Sequence, residues 1–164
     1  FSPTVFEDVA LGPLNMGLGE DEVRRRVSSA LEGVGMKGYE ERSPHHLSAG
    51  EKKRIAIATI LSMSPEVLVI DEPTSNLDPR GKWALIELLR GLTMTKIIAS
   101  HDLEVVAALC GRIILLDEGR VVADDRANHI LSNTSLLERH GLAPARGLAG
   151  AQDPGSNPEP LPNG

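Results

Sequence analysis

The sequence predicts an α/β fold carried behind an all-helical lobe, and two observations predict it. From about residue 65 to 117, short apolar runs alternate with helical stretches, the pattern of a sheet covered by helices. Ahead of them, residues 1–47 carry helix signals and no strand signal. We therefore expect a helical subdomain over 1–47, an α/β part over 48–142 and a disordered tail over 143–164, where Pro, Gly, Asn and Ala accumulate without periodicity.

The elements follow in order. Thr4 and Glu7 have capping-box spacing, and the helix they open is expected to stop at Gly12-Pro13. Glu20, Asp21 and Glu22 suit the start of a second helix, whose apolar stripe runs Val23, Val27, Ala30, Leu31, Val34 before a Gly35 cap. Arg24-Arg25-Arg26 within it reads as a solvated face. A third helix should run from Ser48 to about Ser64, stopped by Pro65. Val67–Ile70 is a wholly apolar run of the kind buried in parallel sheets. Asp78-Pro79 opens a helix with Leu85, Ile86, Leu89 and Leu92, Lys96–Ser100 is a strand, and Asp102–Cys110 is a helix ended by Gly111. Two strands, Arg112–Asp117 and Arg120–Asp124, flank the turn Asp117-Glu118-Gly119, and one or two short helices follow between about Arg126 and His140.

Bulk properties bound the function. The net charge is −6 and aromatic residues make up 2% of the chain, which argues against nucleic acid as the main ligand. Cys110 is the only cysteine, so an internal disulfide and a cysteine zinc cluster are excluded, in keeping with a reducing compartment. The first residues lack a signal-peptide layout, and no apolar run reaches the ~18 residues of a membrane helix. We expect a soluble chain whose membrane work, if any, passes through a partner.

Four short motifs carry candidate chemistry. Leu47-Ser48-Ala49-Gly50-Glu51 reads as a capping box, yet Gly50 sits in a helical first turn, where Gly costs ~1 kcal/mol against Ala, and Lys52, Lys53 and Arg54 sit at the wrong helix end for cations. An anion bound at the helix end by Ser48, Ala49, Gly50 and Glu51 would account for both. Val67–Ile70 ends in Asp71-Glu72, at the sheet edge where α/β folds bind ligands. There Asp71 would hold Mg2+ and Glu72 would orient or deprotonate a water, although Asp-Glu is also an ordinary strand exit. Ser75-Asn76-Leu77-Asp78 before Pro79 reads on its own as a helix start. His101 directly follows a strand and so points to the same edge as Glu72. His45-His46 read poorly as metal ligands, since adjacent residues rarely converge on one ion.

As an ordered set, these motifs resemble the ATP-binding-cassette ATPases: signature, Walker B with catalytic glutamate, D-loop and switch histidine. The resemblance runs from about Phe1 to Leu142. It implies an ABC-type, P-loop NTPase fold in part: the helical subdomain plus the C-terminal half of a RecA-like parallel-sheet core. It also implies ATP and Mg2+, catalytic roles for Glu72 and His101, a metal-holding role for Asp71, and Ser48, Ala49, Gly50, Glu51 and Asp78 at a nucleotide shared with a second ATPase subunit, head to tail. Ala49 and Glu51 depart mildly from the usual signature. A larger departure is that the 164 residues hold no G-x-x-x-x-G-K-[ST] segment, so the chain alone is expected to be inactive.

Within the family, Phe1–Asn15 and Arg42–Arg54 look like the corresponding segments of energy-coupling importers, first of cobalt or nickel. That resemblance implies a membrane-embedded coupling subunit as partner and a place at the cytoplasmic face of the membrane, with no nucleic acid involved. A non-transport ATPase of the superfamily and an inert half-domain that binds partners are the alternatives.

Overall fold

A computed structural model describes residues 3–142; the tail expected over 143–164 lies outside them. The first helix, α1 (Val5–Asn15), opens on the expected Thr4–Glu7 capping box. It runs through Gly12-Pro13, where a stop was expected. The reason lies in a distant hydroxyl. Pro13 has no N–H for the carbonyl of Val9. Ser62, 1% exposed, sets its Oγ 2.9 Å from that carbonyl and 2.9 Å from Thr59 O, sharing its proton between them. Gly12 belongs to the same contact, because a Cβ there would lie 2.6 Å from Met63 Cγ. The helix ends instead at Gly17 (φ +75°), in a Schellman motif with Gly17 N–H donating to Leu14 O and Leu18 N–H to Pro13 O.

Helix α2 (Glu20–Gly33) buries Val23, Val27, Ala30 and Leu31 and ends at Gly35 (φ +70°) in a second Schellman motif. Its arginines face outward and sideways: Arg25 and Arg26 pair with Glu22, and Arg24 lies over the Phe6 ring. A 3-10 turn at Pro44–His46 leads into α3 (Ala49–Leu61). Sequence reasoning grouped α3 with the α/β part. In the structure it packs on α1 and α2, so the three helices share one core of Val5, Val9, Val27, Leu31, Ile55 and Ala58.

Strand β1 (Val67–Asp71), helix α4 (Pro79–Gly91) and strand β2 (Thr95–Ala99) follow, with β1 and β2 parallel and in register from Val67↔Thr95 to Asp71↔Ala99. Leu68 joins Leu85 and Leu89 of α4 in the core. The expectation that Val67–Ile70 is buried throughout holds for one face only, since Val69 is 67% exposed and Val67 49%. Among the described residues the helices cover the Leu68 side of this pair of strands. Helix α5 (Leu103–Leu109) closes this part of the chain, which forms one compact unit through Leu109.

The second unit begins at Cys110. Strands β3 (Arg112–Asp117) and β4 (Arg120–Arg126) form an antiparallel hairpin. Its two-residue turn, Glu118 (φ +47°) and Gly119 (φ +74°), has the two positive φ angles of a type I′ turn, whose twist suits a hairpin. A bulge offsets Leu115/Leu116 against β4, and Arg112 clamps Asp124 through two 2.7 Å bonds. Helices α6 (Ala127–Ser132) and α7 (Thr134–Arg139) follow, burying Ala127, Ile130 and Leu137.

Candidate functional site

Glu72 is the pivot of the site. It follows β1 directly, with φ +44°, a left-handed conformation that costs a non-glycine residue on the order of 1–3 kcal/mol. Its neighbours hold it there. The Glu72 N–H donates to Ala99 O at 2.9 Å, prolonging the β1–β2 ladder by one step. Its carbonyl accepts from Lys53 Nζ at 3.1 Å and from Ser75 Oγ at 3.0 Å. The turn aims the carboxylate at the end of β2, where Glu72 Oε1 accepts from the His101 N–H at 3.1 Å and sits 2.7 Å from His101 Nδ1. The second oxygen has one long contact, 3.4 Å from Ser100 Oγ.

Burial raises the Glu72 pKa, but the ring and backbone bonds from His101 and the Ser100 hydroxyl outweigh it and hold the carboxyl below its usual range. Glu72 is thus ionised at neutral pH, and Oε2 remains the accessible acceptor. With Nδ1 turned to Glu72, His101 presents Nε2 outward on a ring that is 80% exposed. The loop bearing His101 is anchored from behind. Asp102 Oδ1 caps α5 by accepting from Glu104 N–H and Val105 N–H, and Lys82 of α4 pairs with Asp102 at 2.6 Å and Glu104 at 2.7 Å.

Asp71 lies beside this pair at the last position of β1, exposed, and among the described residues no hydrogen bond or ion pair engages its carboxylate. Mg2+ takes one or two carboxylates and fills its remaining positions with phosphate oxygens and water. A single free carboxylate at a strand end fits that ion. Among the described residues no cluster of three or more His, Cys, Asp or Glu side chains offers an all-protein metal cage.

Ser48 caps α3 reciprocally with Glu51: Glu51 N–H donates to Ser48 Oγ, while Ser48 N–H and Oγ both lie 2.8 Å from Glu51 Oε2. Tyr39 donates its hydroxyl to Glu51 Oε1 at 2.9 Å. These bonds from Ser48 and Tyr39 hold the Glu51 carboxyl below its usual range. Ala49 and Gly50 fill the first turn, and a Cβ built on Gly50 meets nothing within 4 Å. Packing among the described residues therefore does not require the glycine. Across a groove from α3, Asp78 caps α4 by accepting from Gly81 N–H at 3.3 Å. The groove is lined by both helix starts, with Arg54 and Arg80 on its walls.

Two of the three cations after Gly50, Lys53 and Arg54, have intramolecular partners that sequence reasoning did not find. Lys53 binds Glu72 O and Ser75 Oγ, and Arg54 donates to Val34 O at 3.0 Å. For these two, a place at a helix start does not need a bound anion, contrary to the expectation for Lys53 and Arg54. The only local signal of Lys53's role was its oddity there. Ser75 stood out only as part of the motif before Pro79, and neither its bond to Glu72 O nor the pairing of Lys82 was legible, since their partners are fixed by the fold.

The family model for ABC transporters matches residues 3–75. A Geobacter sulfurreducens protein, provisionally named an ABC transporter ATP-binding protein, is 56% identical over 84% of this chain and 55% of its own length. The energy-coupling factor transporter ATP-binding protein EcfA of Methanothermobacter thermautotrophicus is 50% identical over 87% of this chain and 47% of its own. The structure of cbiO1 from Clostridium perfringens, described as part of the ABC transporter complex cbiONQ, superposes with a TM-score of 0.74 at 39% identity, over 85% of this chain and 57% of cbiO1. The chain carries part of an ABC transporter ATPase domain. It spans about half the length of the curated relatives it matches. Its parallel β1–β2 pair with helical neighbours is part of the ABC ATPase fold seen in cbiO1.

Proposed function

We propose that these residues form the signature-to-switch portion of a transport ATPase that hydrolyses ATP with Mg2+. The observation that carries this reading is the Glu72–His101 pair at the carboxyl ends of two parallel strands, with the unengaged Asp71 beside it. Asp71 would hold Mg2+, whose charge would offset that of the phosphates. Glu72 Oε2 would orient the attacking water and accept its proton, and His101 Nε2 would face the terminal phosphate. Ser48, Ala49 and Gly50 would meet the nucleotide of a second ATPase subunit, because the open space over Gly50 lets a phosphate approach the α3 amides. Asp78, across the same groove, would lie at that interface. A phosphate-binding loop outside these 164 residues would complete the site. In the complete ATPase, Glu72→Gln should lower turnover by roughly 10²–10⁴-fold while ATP binding persists; near-wild-type turnover would refute the assignment.

The partner we infer is a membrane-embedded coupling subunit, placing the protein at the cytoplasmic face of a membrane. Support comes from α1 and its C-cap, which expose Leu11, Leu14 and Met16 beside a groove lined by Leu11, Pro44, Leu47 and Ile55. Exposed apolar surface of that kind marks an interaction site. Among the described residues no helix is long and apolar enough to cross a membrane. For cargo we propose cobalt or nickel, on the energy-coupling resemblance. Radiolabelled uptake into vesicles holding the complete ATPase and its coupling subunit checks this: ATP-driven uptake of either metal is expected, and uptake of a vitamin alone would overturn the cargo.

A further inference from the structure

We propose that Lys53 is a positioning residue for hydrolysis, holding the backbone of Glu72 in the left-handed turn from which its carboxylate meets His101. The inference rests on Glu72 being the acceptor for the attacking water. Lys53 Nζ reaches 19 residues along the chain to Glu72 O, at 3.1 Å, and lies 3.2 Å from Ser75 Oγ, which itself donates to Glu72 O at 3.0 Å. The carbonyl of a residue at φ +44° is thereby gripped by an ammonium and a hydroxyl, with a longer bond from the Ser75 N–H at 3.3 Å, and the residue's own N–H is gripped by Ala99 O. Rotation of the Glu72 peptide toward ordinary strand geometry would swing the carbonyl off all three donors. It would also withdraw Oε1 from His101.

The ammonium bonds the carbonyl and not the carboxylate, so it acts on the direction of Glu72 and leaves Oε2 open to water. Its stem comes from the second turn of α3, five positions after Ser48. One side chain therefore joins the helix that starts with Ser48, Ala49 and Gly50 to the turn that aims Glu72. A displacement of the α3 start is transmitted to Nζ along a rigid helix, and from there to the carbonyl it holds.

The test uses the complete ATPase, with Lys53→Met (stem kept, ammonium removed) and Lys53→Arg, each in wild-type and Glu72→Gln backgrounds. Turnover, the KM for ATP and the thermal midpoint are measured for each. We expect Lys53→Met to lower kcat on the order of 10–100-fold, the range seen when supporting hydrogen bonds behind a reactive group are lost. KM should change less than about twofold, because the contact does not touch nucleotide. Lys53→Arg should recover most of the loss, and Lys53→Met should add nothing in the Glu72→Gln background, since two changes acting through one group do not add. Wild-type kcat in Lys53→Met, a loss confined to KM, or an equal loss in both backgrounds would overturn the proposal. If Lys53→Met does not fold, Lys53→Gln, too short to reach the carbonyl, is read against the same outcomes. Near-wild-type turnover of Glu72→Gln by itself refutes the underlying reading and this inference with it. A crippled Glu72→Gln with a fully active Lys53→Met refutes Lys53 alone.

Discussion

Glu51 engages both carboxylate oxygens, one with Ser48 and one with Tyr39, and this gives the start of α3 a dependence on acid. Its pKa in the fold lies below the unfolded value of about 4.5. A carboxylate depressed in this way contributes stability above its unfolded pKa and loses it as pH falls through the folded one. Glu51→Gln keeps the capping geometry, since glutamine serves the same box, but removes the titration. The thermal midpoint of wild type should therefore exceed that of Glu51→Gln at pH 7, and the gap should close as pH is lowered toward 3; parallel pH profiles would contradict this. The capping box itself was legible in the spacing of Ser48 and Glu51. Tyr39 as a third partner was not, because it joins Glu51 through the loop between α2 and α3. The same limit hid the partner of Lys53. Residue type and helix position revealed that a lysine there was out of place, and only the fold brings Glu72 O within its reach.

Among the elements, those with local punctuation were legible wherever that punctuation stood. Helix α2 was readable from its acidic start, apolar stripe and Gly35, and α4 from Asp78-Pro79, because each signal acts within one or two turns. The β3–β4 hairpin was readable from its turn residues for the same reason. Helix α1 shows the converse. Pro13 is a local stop signal overruled by Ser62, which lies 53 residues from the carbonyl it bonds. Ser62→Ala should leave Val9 O buried without that donor and cost about 1–3 kcal/mol. Pro13→Ala returns an N–H to the helix, so Ser62→Ala should cost less in that background. Chemical denaturation of the four proteins measures this coupling, and strictly additive losses would show that Ser62 serves Thr59 O alone. Strand β1 was legible as a strand, but its burial was overstated: an apolar run identifies the element without saying how many of its faces are covered.

For the whole molecule, folding and subunit pairing place different demands on the α3 start, and Gly50 separates them. Beyond its own turn of helix and its chain neighbours, no atom of the described residues lies within 4 Å of a Cβ at this position, and an acid in a helical first turn is favourable to the dipole. Gly50→Asp should therefore leave the thermal midpoint of the complete ATPase unchanged or slightly raised. The same carboxylate would repel a phosphate approaching the α3 amides, so ATP-dependent pairing of subunits should be lost in sizing experiments. Retained pairing would return the motif to a plain helix cap. The uncovered face of β1 and β2 bears on a different property, colloidal behaviour. Val67, Val69 and Ile97 stand in a row on two neighbouring strands, at 49%, 67% and 55% exposure. Flat apolar strand surface of this sort is a template for self-association. Handled as 164 residues, the chain should stick to copies of itself through this face, and Val69→Lys should act as a gatekeeper that keeps it dispersed, with light scattering against concentration to tell the two apart.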